Sequence, residues 1–120
     1  NAEYRRALGP IEGIDFMPWD DRGSPNGWLT VMTVDTDALT SQATSESICA
    51  HLGAAEIEAR PAWKPMHAQK AFTGVPVAGG AVADRIFETG VCLPSGSGLG
   101  ESDQERVIAA TLEALAPSNG

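Results

Sequence analysis

The period of apolar and polar positions changes several times along the chain, and each change marks an element. Residues 2–8 read as the last two turns of a helix, stopped by Gly9-Pro10, with a beginning expected upstream of Asn1. Ile14-Asp15-Phe16-Met17 alternates as a short strand does, and residues 18–26, rich in Pro, Gly, Asp and Ser, read as a loop. Residues 28–34, Trp-Leu-Thr-Val-Met-Thr-Val, are β-branched and apolar on both faces, which predicts a central strand covered on both sides. A polar loop over 35–43 leads to a short helix at 45–52, capped by Ser45, with Ile48 and Leu52 on one face and Gly53 ending it. A strand is expected at 56–59, and Arg60, preceding Pro61, is held extended. Gly79-Gly80 opens a helix over 81–88, with Val82 and Ile86 one turn apart, and Gly90 closes it before a strand at 91–93. After a Ser/Gly loop at 94–100, a helix at 101–115 turns Val107, Ile108, Thr111, Leu112 and Leu115 inward; residues 117–120 read as a tail.

This order predicts an α/β (α+β) layer structure, a small mixed or antiparallel sheet with helices packed on it, in a single domain covering residues 1–120. A chain of this length buries about two thirds of its unfolded surface, enough for a true core. Apolar residues make up 42% of the chain and charged residues 20%, which excludes disorder. The net charge of −8 disfavours a phosphate-backbone partner, so no nucleic-acid role is expected. No apolar run approaches the ~18 residues that cross a bilayer, and no membrane role is expected. Cys49 and Cys92 each lie in an apolar run and read as buried, reduced thiols of a cytoplasmic protein.

Candidate chemistry concentrates in Arg60-Pro61-Ala62-Trp63-Lys64-Pro65-Met66-His67. Two prolines stiffen a segment that carries two cations, an indole and an imidazole. Arg60 and Lys64 suit a phosphate or carboxylate, Trp63 offers a flat face, and His67 can donate, accept or relay a proton. The plainer alternative places Trp63 and Met66 in the core and both cations in solvent. Pro94-Ser95-Gly96-Ser97-Gly98 could bring backbone amides to an anion, but it lacks the Gly-Lys-Ser/Thr ending of a P-loop and reads first as a connection into the last helix. His51 sits at a helix end without a catalytic partner, and Asp20-Asp21 reads as a solvated pair. The two histidines and two cysteines show no metal spacing, so no metal is expected. No complete catalytic set is present.

The string from Ile57 to His67, then Ala83-Asp84-Arg85-Ile86-Phe87-Glu88, then Gly90-Val91-Cys92-Leu93-Pro94-Ser95-Gly96-Ser97, resembles the C-terminal part of the DegT/DnrJ/StrS aminotransferases. The segment Asn26-Gly27-Trp28-Leu29-Thr30-Val31 resembles the same branch, which acts on nucleotide-linked amino sugars in glycan or antibiotic-sugar biosynthesis; residues 43–54 fit it less well. The resemblance implies the small C-terminal domain of a fold-type-I, pyridoxal-phosphate-dependent transferase. The cofactor is then held as a Schiff base on a lysine of a large N-terminal domain outside this chain, in a homodimer, with glutamate as the typical amino donor. It also implies Arg60, Trp63, Lys64 and His67 as substrate-side contacts at the lip of the active site. Lys64 and Lys70 are the only lysines, and neither lies in the setting of the Schiff-base lysine, so the chain alone is expected to bind no cofactor and to be inactive. A binding, regulatory or dimerisation module on the same small fold is the competing reading.

Overall fold

The structure, a computed structural model, describes residues 1–20 and 22–117. Helix α1 (Ala2–Leu8) leads into strands β1 (Ile14–Phe16) and β2 (Thr30–Val34), then helix α2 (Ser45–Ala54) and strand β3 (Arg60–Pro61). Two single 3₁₀ turns, Met66–Ala68 and Lys70–Phe72, precede helix α3 (Ala81–Thr89), strand β4 (Gly90–Leu93) and helix α4 (Glu101–Leu115). The sheet runs β1-β2-β4-β3 and is antiparallel throughout. The α/β class expected from the sequence is the one found.

The register sorts the side chains. Ile14 pairs with Val34, Phe16 with Met32, Met32 with Val91, and Thr30 with Leu93; every one of these side chains is buried. That face meets Tyr4 and Leu8 of α1, Ile48 and Leu52 of α2, and Val107, Ala110 and Leu115 of α4 in one core. At ~25 cal/mol per Å2 of apolar surface removed from water, this single layer of contacts is the main source of stability. The opposite face carries Asp15, Val31, Thr33 and Cys92, none fully buried, and Val82 and Ile86 of α3 line a hollow with Asp15 and Thr33.

Several expectations are corrected. The strand opens at Thr30, not Trp28, and is covered fully on one face only. The Asn26 side chain takes the Trp28 N–H at 3.1 Å and Gly27 has φ +61, so the ladder starts where the Thr30 N–H reaches the Ser95 hydroxyl at 3.0 Å. The cap of α2 is Thr44: its side chain accepts from the Ser47 N–H at 3.1 Å, and the Ser47 hydroxyl accepts from the Thr44 N–H at 2.9 Å, a reciprocal capping box. Ser45 instead donates to the Glu88 carbonyl at 2.7 Å and ties α2 to the end of α3.

Gly53 does not end α2. The helix continues to Ala54 and closes in a Schellman motif, with Ile57 N–H on the Leu52 carbonyl at 2.9 Å and Glu56 N–H on the Gly53 carbonyl at 3.0 Å. Glu56 takes the left-handed position at φ +57, and buried Ile57 packs where the motif wants an apolar residue. That turn consumes the backbone groups a strand at 56–59 would need, so β3 forms only at Arg60–Pro61. On α4, Leu112 is exposed and Ala110 takes its inward place, because Val107, Ala110, Thr111 and Leu115 follow the i, i+3, i+4, i+8 stripe. Val82 of α3 is likewise exposed. Cys49 and Cys92 are free thiols, but half-buried rather than buried. Of the expected tail, residues 118–120 lie outside the described residues, as does Asp21 of the acidic pair.

Candidate functional site

The segment after β3 is set by its prolines and by the sheet edge. Arg60 and Pro61 pair with Cys92 and Val91, and the Ala62 N–H reaches the Gly90 carbonyl at 2.9 Å. Ala62 and Pro65 are buried, and Trp63 and Lys64 between them project outward. Trp63 is therefore not core: it is 65% exposed and lies against Trp28, 68% exposed, with ring centroids 5.7 Å apart and planes tilted by 30°. Such an offset aromatic pair contributes about 0.5–1.5 kcal/mol beyond its area, and here it builds an outward-facing indole wall.

That wall borders a groove of about 850 Å3 between the β3–β4 edge and the start of α4. Arg60, Lys64 and Arg106 line it with Glu56, Glu58 and Asp103, three cations against three carboxylates. Arg60 is engaged with Glu58, its Nε donating to Oε1 at 2.8 Å. Arg106 donates to the Ala55 carbonyl at the end of α2. Lys64 has no ion-pair partner among the described residues, which leaves its ammonium available to an anionic ligand beside the indoles.

His67 does not line this groove. Its Nε2 lies 2.7 Å from Asp84 Oδ1 on α3, and its ring packs against Gly80. Of the four residues expected as substrate contacts, Arg60, Trp63 and Lys64 share the groove and His67 belongs to its support. Trp28 is the member the sequence analysis missed; the Asn26-Gly27 turn before it marks a strand start, but nothing local shows that it meets an indole 35 positions on.

The Pro94–Gly98 loop forms one margin of the groove and is held from behind. The fully buried Tyr4 donates its hydroxyl to the Pro94 carbonyl at 2.8 Å, and burial pushes the phenol up to about 12. The Ser95 hydroxyl accepts the Thr30 N–H and lies 2.9 Å from the Leu93 carbonyl. Elsewhere, His51 lies 3.7 Å from Glu113, and Asp20 pairs with Arg22, which holds its carboxyl below the usual range. Burial raises both cysteine thiols, and the neighbouring Cys92 adds to the rise at Cys49. The described residues contain no group of three or more His, Cys, Asp or Glu that could hold a metal, and no helix among them is long and apolar enough to cross a membrane.

The chain belongs to the DegT/DnrJ/EryC1/StrS aminotransferase family, which it matches over residues 1–112. It is similar to a Bacillus subtilis (strain 168) protein named as a pyridoxal phosphate-dependent aminotransferase, EpsN, at 39% identity over 115 residues. That match covers 92% of this chain and 28% of the relative, so the chain spans less than a third of the curated relative's length. Among solved structures, DesV of S. venezuelae, described in complex with a ketimine intermediate, superposes with a TM-score of 0.80 at 22% identity, over 98% of this chain and 30% of that one. DesI, described in the presence of its TDP-sugar product, gives 0.79 at 24% identity, over 95% and 29%. The fold is that of a part of these aminotransferases, fold-type-I enzymes as the resemblance implied.

The described residues do not make a pyridoxal-phosphate site by themselves. Lys64 and Lys70 are both exposed, one at the groove rim and one in a 3₁₀ turn, and neither is enclosed with an acidic partner for a pyridinium nitrogen.

Proposed function

We propose that this chain is the C-terminal small domain of a pyridoxal-phosphate-dependent aminotransferase that aminates a nucleotide-linked keto-sugar in glycan or antibiotic-sugar biosynthesis. In this reading the cofactor and its lysine belong to a larger domain outside the chain, the complete enzyme is a homodimer, and the isolated chain is inactive. The family match over residues 1–112, with a relative 39% identical over 115 residues, is the observation that carries the reading.

The task of this domain is to bind and orient the sugar nucleotide. Lys64 meets a phosphate oxygen as a charge-assisted donor, and the Trp63–Trp28 wall takes a flat ring or sugar face. Arg60 joins only by exchanging its Glu58 partner for the ligand, so its contribution is smaller than that of Lys64. Closing apolar walls over the pair excludes water and strengthens the contacts. The test measures both half-reactions in the complete enzyme. Lys64→Ala lowers kcat/KM for the sugar nucleotide roughly tenfold to a hundredfold, the worth of one charge-assisted hydrogen bond, and leaves the amino-donor half-reaction unchanged. Equal losses in both half-reactions, or none in either, would refute the assignment of this loop to the sugar.

A further inference from the structure

The stretch from Trp63 to Gly79 is held to the rest of the molecule by very little. Most of its hydrogen bonds are local: Gln69 Nε2 to the Lys64 carbonyl, the Thr73 hydroxyl to the Lys70 carbonyl, and the short backbone turns Ala68 to Pro65, Gln69 to Met66, Phe72 to Gln69, Thr73 to Lys70 and Val75 to Phe72. Val75 and Val77 are exposed, as is Met66. Among the described residues, the one bond from this stretch to another element is His67 Nε2 to Asp84 Oδ1, 2.7 Å long and spanning 17 positions. Buried Pro65, half-buried Phe72 and the contact of Trp63 with Trp28 are its packing anchors.

The contact is built rather than incidental. The His67 side chain is only 25% exposed and Asp84 is 47% exposed, so the pair is shielded on the imidazole side. A Cβ on Gly80 would stand 3.0 Å from His67 Cε1, and Gly80 has φ +112, so both the backbone and the ring demand glycine there. Asp84 is fixed in turn by the first turn of α3, its N–H on the Gly80 carbonyl at 2.9 Å. A carboxylate oxygen is an acceptor here, so Nε2 donates and the contact fixes the orientation of the imidazole ring.

We propose that Asp84 is the positioning residue of the groove-side loop: through His67 it latches residues 63–79 to α3 and so holds Trp63 and Lys64 in place. Its effect on the reaction rests on the sugar-binding role proposed above; the latch itself does not. The complete, cofactor-loaded enzyme is compared with its Asp84→Ala and Asp84→Asn variants by amide hydrogen exchange and by both half-reactions. Asp84→Ala speeds exchange over residues 66–73 about tenfold while the α4 amides are unchanged, and it lowers sugar kcat/KM about tenfold, mainly through KM, with the amino-donor half-reaction within about twofold. Asp84→Asn keeps an acceptor oxygen at the same place and restores both readouts to within about threefold of wild type. Unchanged loop exchange in Asp84→Ala would overturn the latch, as would Asp84→Asn being as loose as Asp84→Ala. Faster loop exchange with unchanged sugar kinetics in both Asp84→Ala and Lys64→Ala would uphold the latch and sink the sugar-binding role instead.

Discussion

Tyr4 offers the sharpest test of how the groove margin is held. It is the only tyrosine in the chain, so tyrosinate absorbance reports on one site. Its ring is fully buried, and its hydroxyl donates to a carbonyl 90 positions away. Burial disfavours the phenolate, so the folded chain holds this proton up to about 12, against the ordinary value of 10.0. The folded state thus binds the proton more tightly than the unfolded chain does. The stability linked to it is whole below pH 10 and drains as the pH rises from 10 toward 12. Each tenfold change in acidity is ~1.4 kcal/mol, so about 3 kcal/mol is at stake across that window. Tyr4→Phe removes the hydrogen bond and costs about 1–2 kcal/mol at neutral pH, because the Pro94 carbonyl loses its donor. It also removes the alkaline loss attributable to the phenol, so the two stability curves converge between pH 10 and pH 12. The assay is urea denaturation of both chains at several pH values, with tyrosinate absorbance followed in the folded chain and in urea. A folded-state midpoint near 10, or parallel alkaline losses in wild type and Tyr4→Phe, would refute the reasoning.

Three smaller outcomes follow from the same contacts. Glu56 occupies a left-handed position, so Glu56→Gly stabilises the chain by about 0.5–1 kcal/mol in chemical denaturation, and a loss of stability would contradict the Schellman closure of α2. Thr44→Ala removes the cap of α2 and costs about 1 kcal/mol, whereas a larger cost for Ser45→Ala would return the cap to Ser45. Cys49 and Cys92, half-buried with thiols raised by burial, react slowly with a thiol reagent in the folded chain and quickly in denaturant, and equal rates in the two conditions would contradict their shielding.

Much of this architecture was legible from periodicity. Helix α4 runs from Glu101 to Leu115, the bounds its apolar stripe and flanking Gly and Pro set, and α1, α3 and β4 lie within a residue of their expected ends. What misled was chemistry that acts across the chain. Gly53 looks like a helix stop, but Ile57 supplies the buried apolar contact that closes the motif four residues later, and Glu56 bears the strained backbone. Trp28 looks like strand interior because its neighbours are β-branched, yet Ser95, distant in sequence, sets where the ladder begins. The same limit applies to the site. The run Arg60–His67 shows in the sequence as a cluster of cations and rings, but a linear string cannot say which heads converge. Register turns Trp63 and Lys64 to the groove, Glu58 occupies Arg60, and Asp84 draws His67 to α3. The partnership of Trp28 with Trp63 depends on the β2–β4–β3 order, which no local pattern encodes.

In the proposed reading, this chain is one domain of an enzyme that moves an amino group onto a nucleotide-linked keto-sugar. The most direct measurement follows the visible absorbance of pyridoxal phosphate bound to the complete protein. Glutamate is expected to bleach the band, a nucleotide-linked keto-sugar to restore it with release of the amino sugar, and the isolated chain to show neither change. A complete protein that carries no cofactor band, or one whose band glutamate bleaches but no nucleotide-linked keto-sugar restores, would contradict it.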